Sequence, residues 1–132
     1  MDLPLTFLKR PAAASVPRPW LLVLLHGVGS NEQDLFSLCA QLPERYYVLS
    51  LRAPHRMAPG AFAWFDFSIE PGGARSIDEE QEAASRALLE QTLADAARQL
   101  DIPPERCVVA GFSQGGAMAL GLGITVSGCW SP

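Results

Sequence analysis

Short unbroken apolar runs alternate along this chain with segments whose apolar residues recur every three or four positions. The first run, PWLLVLLHG, is bounded by Pro19 and Gly27, the pattern of a strand buried on both faces. GSNEQDLFSLCAQLP then changes period. Leu35, Leu38, Cys39 and Leu42 fall at helical spacing, Ser30 and Gln33 have capping-box spacing, and Pro43 stops the predicted helix. RYYVLSLR at 45–52 reads as a second buried strand.

Residues 53–76 break the rhythm with Pro54, Pro59, Pro71 and several glycines around FAWFDF, a long excursion of the kind that is usually functional or disordered. SIDEEQEAASRALLEQTLADAARQL is the clearest helix. Ser76 and Glu79 have capping-box spacing, and acids crowd the first turn, where the helix dipole favours them. Leu89, Leu93, Ala96, Ala97 and Leu100 form its predicted buried stripe, and Asp101 with Pro103-Pro104 ends it. RCVVAGFS is a third buried strand, QGGAMALGL opens another helix, and GITVSGCW has the composition of a last strand. Buried strands alternating with amphipathic helices predict an α/β fold, a mostly parallel sheet with helices on both faces. In such sheets ligands bind beyond the carboxyl ends of the strands. His26-Gly27, the 53–76 excursion and Ser113 all fall at that edge.

Composition narrows the classes. The chain of 132 residues is 48% hydrophobic with a net charge of −4, which suits one globular domain with one core and offers no basic patch for nucleic acid. MDLPLTFLKRP lacks the charge order of a signal peptide, and WLLVLL is far too short to span a bilayer. Cys39, Cys107 and Cys129 have no metal spacing; an odd count without a secretory signal points to free thiols in a reducing cytoplasm. No metal and no cofactor is expected.

The candidate chemistry centres on Gly111-Phe112-Ser113-Gln114-Gly115, a G-x-S-x-G stretch between a buried strand and a helix. A nucleophile elbow needs that context: a strained turn holds the serine out at the top of the sheet, and the flanking glycines remove side chains that would collide. An oxyanion hole needs two backbone N–H groups facing the developing charge. Gln114 and Val28 are the candidates, with Gly27 and Gly29 letting the HGVG loop bend inward. His26 is expected to position that loop and do no chemistry.

LLVLLHGVGSNEQDL, RAPHRMAPGAFAWFDF and IPPERCVVAGFSQGGAMAL together resemble the phospholipase/carboxylesterase family of α/β-hydrolases, which includes the acyl-protein thioesterases. The likeness runs over about 20–120. It implies a partial α/β-hydrolase fold and hydrolysis of carboxylic esters or thioesters through an acyl-enzyme on Ser113. It also implies an acyl site lined by Trp64 and Phe65, with Phe67 expected to pack the excursion onto the core. The departure comes after Ser113, where QGGAMALGLGITVSGCWSP holds no acid and no histidine, whereas the triad order in this fold is Ser, then Asp or Glu, then His. Asp66, His26 and His55 all precede the serine, and His55 reads as an ordinary loop histidine.

The expectation is a single, incomplete, C-terminally truncated domain: an N-terminal strand or loop over 1–19, a family-like region over 20–120 and an atypical tail over 121–132. Its substrate is a small acyl ester or thioester, and turnover is weak or absent in this chain. The alternative is a non-catalytic product that binds acyl ligands or a full-length homologue. An exposed sheet edge is expected to favour self-association.

Overall fold

The computed structural model of the protein describes residues 1–69, 71–73 and 75–121. In chain order these form β1 (Phe7–Arg10), β2 (Trp20–Leu25), α1 (Glu32–Phe36), β3 (Tyr46–Leu51), β4 (His55–Ala58) and β5 (Ala61–Ala63). They continue with β6 (Phe67–Ile69), β7 (Arg75–Ile77), α2 (Glu79–Leu100), β8 (Cys107–Gly111) and α3 (Gln114–Gly121). The proposed last strand, with Cys129, lies outside the described residues.

The main sheet has the order β1-β3-β2-β8, with β3, β2 and β8 parallel and β1 antiparallel at one side. Because side chains alternate along a strand, each face takes every second residue. Leu21, Val23, Leu25, Leu49, Leu51 and Val109 meet Leu89, Leu93 and Ala96 of α2 and Met118 and Ala119 of α3. Leu22, Leu24, Val48, Val108 and Ala110 meet Leu35, Phe36, Cys39 and Leu42 on the opposite face. The sheet is therefore covered on both sides, as its continuous apolar strands predict. Leu25 pairs with Leu51 on one flank and Gly111 on the other, so the three parallel strands end flush. The loops leaving them, at His26, Ala53 and Ser113, emerge side by side.

Several local expectations are corrected. Asn31, not Ser30, caps α1: its Oδ1 accepts from the Gln33 N–H at 2.9 Å, while Ser30 Oγ donates to Asp34. The helix predicted between its Ser30 cap and Pro43 is one short α-helix followed by a 3₁₀ turn over Ser37–Gln41, and of the expected stripe only Cys39 is buried. The carbonyls at that end are gathered by Arg10. Its guanidinium donates to the carbonyls of Cys39 (2.7 Å), Leu42 (3.2 Å), Pro43 (2.8 Å) and Tyr46 (2.9 Å). A rigid fork of donors suits this task, and the tightened turn brings the carbonyls within its reach.

The cap of α2 is Asp78 rather than Ser76, its side chain accepting from the Gln81 N–H. The helix ends at Asp101 in the left-handed conformation (φ 54°). Ser85 and Thr92 join Leu89, Leu93 and Ala96 in its buried face, while Ala97 and Leu100 are half-buried. Within and just beyond the 53–76 excursion the described residues form two antiparallel strand pairs, β4–β5 and β6–β7. Glu32 is buried and takes its charge partner from β3's exit: Arg52 Nε donates to both its carboxylate oxygens at 3.0 and 3.1 Å. That pairing holds the Glu32 carboxyl below the usual carboxylate range. No helix among the described residues is long and apolar enough to cross a membrane.

Replacing Arg10 with leucine keeps much of the side-chain bulk and strips four carbonyls of a charged donor. The expected cost is about 2–3 kcal/mol of folding stability, read as a lower urea midpoint with an unchanged slope.

Candidate active site

Ser113 sits between β8 and α3 with φ 56°, a left-handed conformation that a non-glycine residue adopts at a cost of about 1–3 kcal/mol. The neighbours leave no other path. A Cβ on Gly111 falls 2.2 Å from the backbone of Gly115, and one on Gly115 falls 2.2 Å from the Leu25 carbonyl oxygen and 2.6 Å from that of His26. The first turn of α3 thus rests directly on the end of β2. Phe112 N–H donates to the Leu25 carbonyl at 3.1 Å, carrying the β2–β8 ladder into the turn, and Ala117 N–H returns to the Ser113 carbonyl at 3.1 Å.

Gln114 is the first residue of α3, so its N–H has no acceptor within the helix and stands at the positive end of the helix dipole. Opposite it runs the loop after β2. Gly27 packs so close to the elbow that a Cβ there lies 3.3 Å from Phe112 and 3.4 Å from Ser113 Cβ. Gly29 takes φ 78° and donates to the Phe62 carbonyl at 2.9 Å, while Phe62 N–H donates to Ser30, so β5 holds the loop. Val28, Ser113 and Gln114 line one open cleft of ≈ 350 Å³ together with Phe65, Phe67, Ile77 and Ala117.

His26 is completely buried beneath this loop. Its Nε2 accepts from the Ala53 N–H at 3.0 Å, which leaves the proton on Nδ1 to be donated to the Gly27 carbonyl at 2.7 Å. Both ring nitrogens are committed, and the ring stacks on Trp64 at 5.5 Å between centroids. Burial pushes its pKa below the ordinary 6.5. The imidazole joins the exits of β2 and β3.

Trp64 stands behind the cleft rather than on its wall. It is fully buried, and its Nε1 donates to the His26 carbonyl at 2.8 Å. A large ring with one donor is well spent there, filling core and satisfying a carbonyl. Phe67, expected in the core, is instead 42% exposed and lines the cleft with Ile77, its partner across the β6–β7 pair.

The segment 64–66 has no ladder of its own, yet each of its backbone polar groups is bonded, mostly by side chains of α2 and α3. Trp64 N–H and Phe65 N–H donate to Gln114 Oε1 at 2.7 and 3.4 Å, and Gln114 Nε2 donates to the Phe65 carbonyl at 2.6 Å. Ser85 Oγ donates to the Trp64 carbonyl. Asp66 N–H donates to Gln81 Oε1 at 2.7 Å, and the Asp66 carbonyl accepts from the Asp78 N–H at 2.9 Å. Sequence reasoning assigned Gln114 only its backbone N–H and passed over Ile77 and Ala117. An amide beside the nucleophile was the available signal for the first, and nothing local pointed to the others.

His55 lies on β4, opposite Ala63 of β5, and is not among the cleft residues. Its Nε2 is buried without a hydrogen-bond partner among the described residues. Asp66 is exposed and engaged with Gln81. Burial raises the thiol pKa of both Cys39 and Cys107, which disfavours the nucleophilic thiolate. No group of three or more His, Cys, Asp and Glu residues that could hold a metal ion occurs among the described residues.

The pattern of the phospholipase/carboxylesterase family matches residues 12–130. The fold is similar to that of a carboxylesterase from Bacillus cereus, with 27% identity and a TM-score of 0.70 over 89% of this chain and 52% of that one. Acyl-protein thioesterase 2 of Zea mays is 26% identical, with a TM-score of 0.62 over 96% of this chain and 56% of its own. A carboxylesterase from Mesorhizobium loti, 21% identical, shares the fold with a TM-score of 0.75 over 97% of this chain and 58% of its own. The chain therefore spans between 52% and 58% of the length of these structures. No curated protein matches it.

Two outcomes follow from the packing. Gly115→Ala is expected to cost about 3 kcal/mol or more, because the clash is with backbone that has no room to move. Gly116→Ala, whose Cβ meets the Gly111 carbonyl oxygen at 3.2 Å, a tight contact partly offset by the helix preference for alanine, is expected to cost clearly less than Gly115→Ala in the same urea titration. The second concerns pH. A lowered folded pKa means that the unfolded chain takes up the His26 proton first. Stability is complete above 6.5 and declines as pH falls below it toward the folded value. The slope approaches about 1.4 kcal/mol per pH unit. Urea titrations at about pH 7.5 and about pH 5.5 are expected to show this loss in the wild type and a smaller one in His26→Gln.

Proposed function

This chain belongs to the phospholipase/carboxylesterase family of α/β-hydrolases, and we propose on that basis that it carries the nucleophile and oxyanion site of a serine ester or thioester hydrolase. The observation that carries the reading is Ser113 at φ 56° between two glycines that admit no Cβ. A strained turn of this kind is what a nucleophile elbow needs to hold its hydroxyl above the sheet.

In the proposed reaction Ser113 Oγ attacks the carbonyl carbon of the substrate and its proton passes to a base. The carbonyl oxygen becomes an oxyanion held by the Gln114 and Val28 N–H groups. Collapse expels the alcohol or thiol and leaves the acyl group on Ser113, and water then releases the acid. The apolar wall of Val28, Phe65, Phe67, Ile77 and Ala117 suits an acyl chain. Gly27 and Gly29 shape the loop that carries Val28, and Trp64 and His26 support the site from beneath.

The base is the weak point. Both nitrogens of His26 are committed, His55 is off the cleft, and the sequence given holds no histidine or acid after Ser113. The proposal is therefore that these 132 residues alone turn over slowly or not at all, keeping only what binding and the oxyanion hole supply. The same observation favours the second reading, a non-catalytic chain that binds acyl ligands or a full-length homologue. Association through a sheet edge belongs to this second reading. The free thiols of Cys39 and Cys107 suit a reducing cytoplasm.

Labelling with a fluorophosphonate decides between the two. An activated serine is expected to label in the wild type and not in Ser113→Ala. A folded wild-type chain that stays unlabelled defeats the enzymatic reading.

A further inference from the structure

The side chain of Gln114 does more than an elbow requires. An elbow uses only the backbone N–H of the residue after the nucleophile. Here the side chain is also buried, and its amide accepts from the Trp64 and Phe65 N–H groups and donates to the Phe65 carbonyl. Accepting from two N–H groups while donating to a carbonyl is a task for a primary amide. A carboxylate lacks the donor, and a thioether lacks the donor and is a poor acceptor.

Phe65 depends on this arrangement. β5 ends at Ala63 and β6 begins at Phe67, so no strand ladder fixes Phe65 in place. Its N–H and its carbonyl are both held by Gln114, and its ring lines the cleft that contains Ser113. The residue that presents the first N–H of α3 to the reacting carbonyl therefore also holds the apolar wall that an acyl chain lies against.

Resting on the reading of Ser113 as nucleophile, we propose that the Gln114 side chain is a positioning residue that sets acyl-chain selectivity by fixing Phe65 relative to the elbow. Loosening it lets the wall move while Ser113 remains in its strained turn. The Gly111 and Gly115 contacts that define the turn do not involve the amide.

The test uses the whole chain and two unreactive phosphonates, ethylphosphonate and decylphosphonate, with binding measured by calorimetry. It needs no catalytic base, so its failure is distinct from failure of the fluorophosphonate experiment. The wild type is expected to prefer decylphosphonate. Gln114→Met, close in volume, is expected to lower the decyl-to-ethyl affinity ratio by about tenfold, the equivalent of about two buried methylenes. Amide exchange is expected to quicken at Trp64 and Phe65 and not at Ala117, whose bond to Ser113 lies within the elbow.

An unchanged ratio in a folded variant overturns the proposal. So does a wild type with no preference for the longer chain, or equal quickening at Ala117, which marks a general loss of structure. Should Gln114→Met fail to fold, Gln114→Glu keeps the shape and loses the donor to Phe65. A lowered ratio there supports the proposal and an unchanged one overturns it.

Discussion

The close approach of α3 to the end of β2 governs the site. Gly115 lies against the carbonyls of Leu25 and His26, where a single added carbon would collide with backbone. Two consequences follow. The chain must turn sharply after β8, which forces Ser113 into the left-handed conformation. The HGVG loop, leaving β2 at the same point, is brought beside the first turn of the helix. Val28 and Gln114 line one cleft because the strands end flush and the glycines let the backbones touch. Those contacts stabilise the folded chain only as a set: the strained serine is tolerated because its neighbours leave it no relaxed alternative.

Around this contact the rest of the site is assembled by buried polar groups acting at long range in sequence. His26 ties Gly27 to Ala53, Trp64 reaches back to the His26 carbonyl, and Gln114 and Ser85 hold the segment at 64–65. Each of these groups is desolvated, and each has partners, which is the condition for burying polar atoms without a large penalty. The network is stiff for the same reason. Losing one partner strands another, so the segment at 64–65 depends on side chains of α2 and α3 for its place.

Much of this was legible in the sequence. Unbroken apolar runs and helical spacing gave the alternating α/β order and the layers on both sides, because strands buried on both faces and helices buried on one demand those patterns whatever the loops do. The G-x-S-x-G stretch was legible through its setting between strand and helix. Caps were less so. Asn31 and Asp78 were displaced in the reading by Ser30 and Ser76, since several neighbouring residues could accept the same N–H and only the entry path of the chain chooses among them. The 53–76 segment concealed two strand pairs because its prolines and glycines signal turns without saying which strands they join.

The sequence by itself determined the alternation of buried strands and helices, the mostly parallel sheet that follows from it, and the sheet edge at which His26-Gly27, the 53–76 segment and Ser113 meet. Those depend on apolar periodicity and on glycine, properties that act locally. The tertiary structure alone decided that Trp64 supports the cleft from behind while Phe67 and Ile77 border it, and which groups, the Ala53 N–H and the Gly27 carbonyl, His26 joins. It also gave the Gln114 amide its second task. Such roles are fixed by which distant groups share a small volume, and a spacing pattern along one chain carries no record of that.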